Sequence, residues 1–309
     1  KYGKVNLTTA KRQPGSTVKA ITYSAALIKG FTAASVIDDS PIAFRSEGSV
    51  YSPVNYDKRY HGKVTIRKAL ANSINIPAVK MLSQIGIEEM VGLAKKMGVK
   101  DWKDSDSYGL SITLGAAETK MTDLATVYGT LANEGRKVEL NPILNITDFK
   151  GSLIEEKKES VSGNEVIPAE VAFIISDILA DNRARSMAFG TNSPLNIPGY
   201  RVSVKTGTTD NLRDNWAIGY TPSLLVSVWV GNNNNESMNG IASGITGATP
   251  IWNQIMTTLL KGAPREKVSV PEGIVPRLCY GQTEYFIKGN DNFKCPTSSK
   301  SANLVNRQP

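Results

Sequence analysis

Apolar residues recur at helical spacing early in the chain. Val18, Ile21, Ala25 and Ile28 share one face of a helix predicted over residues 16–29, after Pro14-Gly15 and before a natural stop at Gly30. Residues 31–62 are rich in Ser, Pro, Asp and Tyr and predict loop with short strands. The helical period then returns. Thr65 can cap a helix over Ile66–Ala71, Pro77 can open the next, and Ile87–Met97 reads as a third. Residues 121–133 predict another amphipathic helix, ended by Gly135. The period changes again at 143–149 and 152–155, which read as a hairpin across Lys150-Gly151, before a helix over Ala169–Ala180. Three closely spaced runs at 202–205, 216–220 and 224–230 predict an antiparallel meander. A last helix over 249–260 opens at Pro250. Pro264, Pro271 and Pro276 mark a linker, and the remainder reads as a polar tail. Helices first and an antiparallel sheet late place the chain in the α+β class, the sheet flanked by helices.

Composition removes several function classes. With 309 residues, 40% hydrophobic and 21% charged, the chain suits one large or two modest globular domains. The net charge of +8 favours anionic partners only mildly. Lys and Arg are scattered and rarely interleave with aromatics, so no nucleic-acid partner is expected. The most apolar run, 224–230, is far too short to span a bilayer, and no signal peptide opens the chain. The first ten residues read as the middle of something longer, so a fragment is expected.

His61 is the only histidine, which rules out a two-histidine metal site; in its Tyr- and Gly-containing loop it reads as a surface residue. There is no G-x-S-x-G elbow, phosphate loop or dinucleotide fingerprint, and neither cofactor nor metal is expected. Cys279 and Cys295 fit a disulfide in an oxidising compartment or two free thiols; the expectation carried forward is a disulfide that closes a small tail loop.

The candidate chemistry lies in three short elements. Ser16 and Lys19 stand three apart at a helix start, which puts their Cβ atoms about 5–6 Å apart on one face. A serine hydroxyl needs a base, and a lysine can serve when burial or a nearby cation lowers its pKa. The helix N-terminus adds N–H groups suited to an oxyanion. Ser73-Ile74-Asn75 follows in a helix-region turn. Lys205-Thr206-Gly207-Thr208-Thr209 ends a strand, where Gly207 lets a substrate backbone approach closely. Each element alone is an ordinary capped helix, turn or bulge; all three in this order are the motif set of serine β-lactamases and penicillin-binding proteins.

The surroundings narrow the resemblance. Lys11-Arg12-Gln13-Pro14-Gly15-Ser16, the run from Ile66 through Asn72 to Ser73, Leu114-Gly115, Ala132-Asn133-Glu134-Gly135, and Arg213-Asp214-Asn215-Trp216 with Gly219-Tyr220-Thr221-Pro222 resemble the transpeptidase domain of class A, bifunctional penicillin-binding proteins. The resemblance runs from about Lys11 to Gly262. It implies a penicillin-binding/serine β-lactamase-like fold in residues 1–262, lacking its N-terminal strands because only ten residues precede Lys11, with residues 263–309 as linker and tail.

It also implies roles. Ser16 would attack the penultimate D-alanine carbonyl of a peptidoglycan stem peptide, and Lys19 would take its proton. Ser73 would relay a proton to the departing amine. Asn75 would hold the substrate amide and position Lys19. Lys205 would hold Ser73 and supply charge, and Thr206 and Thr208 would bind the terminal carboxylate. The N–H groups of Ser16 and Thr208 would form the oxyanion hole. The reaction implied is D,D-transpeptidation, inhibited by β-lactams, in the cell envelope, with a glycosyltransferase domain and a membrane anchor upstream in the full protein.

Three rivals share these motifs: a β-lactamase, a D,D-carboxypeptidase and a β-lactam sensor. Against the first, Glu139-Leu140-Asn141 has the wrong spacing for a deacylating glutamate loop, and Ile74 stands where Asp is usual. Asp210 and Asp214 follow Lys205 in a turn and read as solvated acids.

Overall fold

The computed structural model describes residues 4–46, 48–156, 163–238 and 245–295. Its centre is helix α1, Lys19–Ile28, entered through a 3-10 turn at Gly15–Val18. Every residue of α1 from Lys19 to Leu27 is buried, so this helix has no solvent face and is packed on all sides. Around it stand α2 (Ile66–Ala71), α3 (Asn75–Ile85), α4 (Ile87–Met97), α5 (Met121–Ala132) and α6 (Ala169–Ala180). The Thr65 hydroxyl accepts from the Lys68 N–H, the cap its position predicts. Helix α3 opens at Asn75, two residues before Pro77, so the proline sits inside the first turn, where its missing N–H costs nothing. The short α7 (Ser186–Phe189) and the long α8 (Ala248–Leu260) complete the helices among the described residues.

Strand pairs fill the spaces between. β1 (Val36–Asp39) pairs antiparallel with β2 (Gly62–Thr65). β3 (Asn145–Thr147) and β4 (Leu153–Glu156) form the expected hairpin, its residues exposed on both faces. The principal sheet is the predicted meander, β5 (Ser203–Thr208), β6 (Asp214–Tyr220) and β7 (Leu225–Gly231), in sequential antiparallel order. All seven residues of β6 are buried, as the middle strand requires. One face meets the helical core through Trp216, Ile218 and Tyr220; the other carries a second cluster in which Trp252 and Met256 of α8 pack on Val204, Ala217 and Val228.

The end of the chain departs from the polar-tail reading. β8 (Ile274–Cys279) and β9 (Gln282–Ile287) form a hairpin that buries Phe286 and Glu284 against the molecule. Its alternation shows only weakly because the inward residues include a charge: Glu284 accepts from Arg67 of α2 at 2.7 Å, and Arg67 also pairs with Asp177 and Asp181. Cys279 and Cys295 form a disulfide that closes the end of this hairpin, the pairing expected from the sequence. Among the described residues no helix is long and apolar enough to cross a membrane.

Candidate active site

Ser16 sits in the 3-10 turn between Pro14 and α1, half-buried in the wall of a cleft of about 640 Å³. Backbone contact holds that turn in place. A Cβ on Gly15 would lie 2.7 Å from the Thr208 carbonyl oxygen, and one on Gly207 would lie 2.5 Å from the Pro14 oxygen. Glycine at both positions therefore lets the serine turn and the end of β5 touch without side chains between them. Tyr128 of α5 donates to the Thr17 carbonyl at 2.8 Å, and Trp216 of β6 to the Gln13 carbonyl at 2.9 Å. The turn is thus tied to the helical layer and to the sheet.

Lys19, one turn on, is fully buried and does not reach into solvent. Its Nζ donates to the Ser73 carbonyl at 2.6 Å and to Asn75 Oδ1 at 2.6 Å, and lies 3.4 Å from Ser73 Oγ. Lys205, from β5, donates to the same Ser73 Oγ at 2.8 Å and to the Thr206 carbonyl at 2.8 Å. Two lysines from distant elements therefore converge on one hydroxyl. Ser73 has φ 59°, left-handed backbone that a serine adopts at a cost. Its carbonyl oxygen and hydroxyl both meet the Lys19 amine.

Burial drives the electrostatics. It holds the Lys19 amine well below the ordinary lysine range, and the charge of Lys205 lowers it further. Burial also lowers Lys205, to about 7, with Arg185 as the second cause.

Arg185 is a residue that no sequence signal marks. It is 3% exposed, its Nε and Nη2 find no hydrogen-bond partner, and burial lowers its pKa to about 10. Asn72 is another. Its Nδ2 donates to the Ala184 carbonyl at 2.7 Å and its Oδ1 accepts from the Ala188 N–H at 2.9 Å. The residue before Ser73 thereby pins the segment whose Met187, Ala188 and Phe189 line the cleft.

Of the residues singled out by sequence, Ser16, Ser73, Asn75, Thr206 and Thr208 line the cleft; Lys19, Lys205 and Gly207 lie behind its wall. Two readings are corrected. The His61 side chain is only 16% exposed and stands between Asp39, 2.6 Å from Nδ1, and Asp57, 3.1 Å from Nε2, on the cleft wall. Asp214 is not solvated. It is 1% exposed, accepts from Trp229 Nε1 at 2.9 Å, and burial raises its pKa. The groups that local composition does not reveal are Asp39, 22 residues from His61, and Trp229, 15 residues from Asp214.

Comparison with known proteins bears on the family and the fold. The model of the family described as penicillin binding protein transpeptidase domain matches residues 3–257. Penicillin-binding protein 1A of Neisseria lactamica is 34% identical over 287 residues, covering 91% of this chain and 35% of that protein. Its counterpart from Aquifex aeolicus is 34% identical over 296 residues, covering 91% and 39%. The chain thus spans little more than a third of the length of these relatives. The crystal structure of penicillin-binding protein 1A from Haemophilus influenzae superposes with a TM-score of 0.83 at 28% identity, over 95% of this chain and 50% of that one. PonA1 of Mycobacterium tuberculosis in complex with penicillin V shares the fold, with a TM-score of 0.74 at 23% identity over 86% and 73%. A family match over most of the length, together with the α+β fold of its structural relatives, shows that this chain belongs to the penicillin-binding protein transpeptidase domain family.

Proposed function

We propose that this chain is the acyl-transferring unit of a bifunctional, membrane-anchored penicillin-binding protein of the cell envelope, and that it cross-links peptidoglycan stem peptides as a D,D-transpeptidase. Residues 1–262 carry the site, and residues 263–309 are linker and tail, of which the β8–β9 hairpin at 274–287 packs on the rest of the molecule. The observation that carries this reading is the convergence of Lys19 and Lys205 on Ser73 Oγ behind a cleft that has Ser16 in its wall.

Lys19, its pKa lowered by burial and by the charge of Lys205, takes the Ser16 hydroxyl proton as Oγ attacks the penultimate D-alanine carbonyl. The N–H groups of Ser16 and Thr208 receive the oxyanion. The C–N bond then breaks, and the departing D-alanine amine takes a proton from Ser73 Oγ, which Lys19 replaces. Ser16 is left as an ester. An amine from a second stem attacks that ester, a new amide forms, and the proton the amine gives up returns to Ser16. Asn75 holds the substrate amide. Thr206 and Thr208 hold the terminal carboxylate, which the charge on Lys205 behind them attracts.

A β-lactam would acylate Ser16 in the same way but keep its leaving group tethered, so the ester persists. The test is intact-mass spectrometry after brief exposure to penicillin and removal of the excess. The expected result is one long-lived adduct, absent from Ser16→Ala, a change that costs a half-buried turn about 1 kcal/mol. An adduct on Ser16→Ala, or rapid return of unmodified mass with steady consumption of penicillin, would refute the assignment.

A further inference from the structure

Helix α3 begins at Asn75 without a cap of its own: Ile74 at its N-cap has no side chain to accept a hydrogen bond. The orphan N–H groups are met from another loop. Asn55 Oδ1 accepts from the N–H of Asn75 and of Ile76, both at 3.1 Å. Asn55 is 3% exposed, and its own amide is fully used. Nδ2 donates to both oxygens of Asp39 at 2.9 Å and to the Arg59 carbonyl at 2.7 Å. Asp39 is fully buried at the end of β1 and also accepts from the His61 N–H at 2.8 Å. The same loop fixes the Asn75 side chain. Asn75 Nδ2 donates to the Val54 carbonyl at 2.9 Å, which settles the amide orientation and leaves Oδ1 toward Lys19.

A connected chain therefore runs from Asp39 through Asn55 to the start of α3 and on to the Lys19 amine. The carboxylate polarises the Asn55 amide, which strengthens its oxygen as an acceptor for the helix N–H groups. We propose that Asn55, braced by Asp39, is a positioning residue for acyl transfer: it seats the first turn of α3 so that the Asn75 carboxamide presents its oxygen to Lys19. This rests on the acyl-transfer reading above. Asn55 also borders the cleft, behind the wall that carries Ser73 and Asn75.

The test is the pH dependence of Ser16 acylation by penicillin, followed by intact mass. Lys19 faces Lys205, Ser73 and Asn75; Asp39, Asp57 and His61 stand at the far end of the chain. The comparison is repeated in a His61→Gln background, so that imidazole titration is not read as that of Lys19. In Asn55→Ala the Asn75 amide is freed, and the Lys19 ammonium loses an acceptor that favours its charged form. The acid limb should move to lower pH, and the plateau rate should fall about tenfold or more, the scale of a small misplacement of a reacting group.

Asn55→Asp alone sets two carboxylates against each other and should lower the plateau as Asn55→Ala does. Adding Asp39→Asn restores one donor and one acceptor across the contact and should return the plateau toward wild type. A wild-type limb and plateau in Asn55→Ala would overturn the proposal. So would a lowered plateau with the limb unmoved, or a double variant no better than Asn55→Asp. A wild-type protein that takes no label would instead sink the acyl-transfer reading itself.

Discussion

Arg185→Met should widen the pH range of acylation on its alkaline side. Arg185 is almost fully buried, lacks partners for Nε and Nη2, and is the second cause of the depressed Lys205 pKa. Lys205 loses its charge above about 7, and with it the attraction for a substrate carboxylate, so the rate should decline there. Removing a like charge raises the pKa of a lysine. Burial is the larger cause and survives the substitution, so the guanidinium accounts for less than half of the fall from 10.5 to about 7. The alkaline limb should therefore rise, but to no more than about 9. The assay is the second-order rate of adduct formation on Ser16 between pH 5 and pH 10, on the order of ten points across that range. Methionine leaves no buried cation unpaired, so stability should hold or rise, which separates the electrostatic effect from damage to the fold. An alkaline limb that stays in place, or moves to lower pH, would refute the coupling between Arg185 and Lys205.

Three further outcomes follow from the same geometry. Lys19→Arg should slow acylation nearly as much as Lys19→Ala, because arginine keeps the charge yet cannot give up its proton; recovery of most of the rate would make Lys19 only an electrostatic partner. Arg67→Met should destabilise the protein by about 3–5 kcal/mol in urea denaturation, since Glu284, almost fully buried, loses its cation; a change within experimental scatter would show that the β8–β9 hairpin is not anchored there. Replacing Cys279 and Cys295 together by alanine should lower stability by up to about 3 kcal/mol while leaving the acylation rate unchanged, because no motif residue lies in that loop; slowed acylation would tie the hairpin to the site.

Local chemistry determined much of this protein. Helix limits such as Ile87–Met97 and Ala169–Ala180 follow from apolar period and stop signals, and the Thr65 cap from one residue type at one position. The β5–β7 meander is legible because its strands are adjacent in sequence and parted by turns. Ser16, Lys19, Ser73, Asn75 and the Lys205 run could be named in advance because each motif is short and contiguous, and their fixed order narrows the reading further.

Only the tertiary structure decided what surrounds them. Asn55 caps a helix 20 residues away, and Arg67 meets a carboxylate 217 residues away. Such partners leave no trace in local composition, which is why His61 and Asp214 read as surface groups and the last strands as a tail. The protonation states belong to the same class. A lysine is an ordinary cation in sequence, and its pKa falls only when the fold removes it from water and sets a second cation beside it.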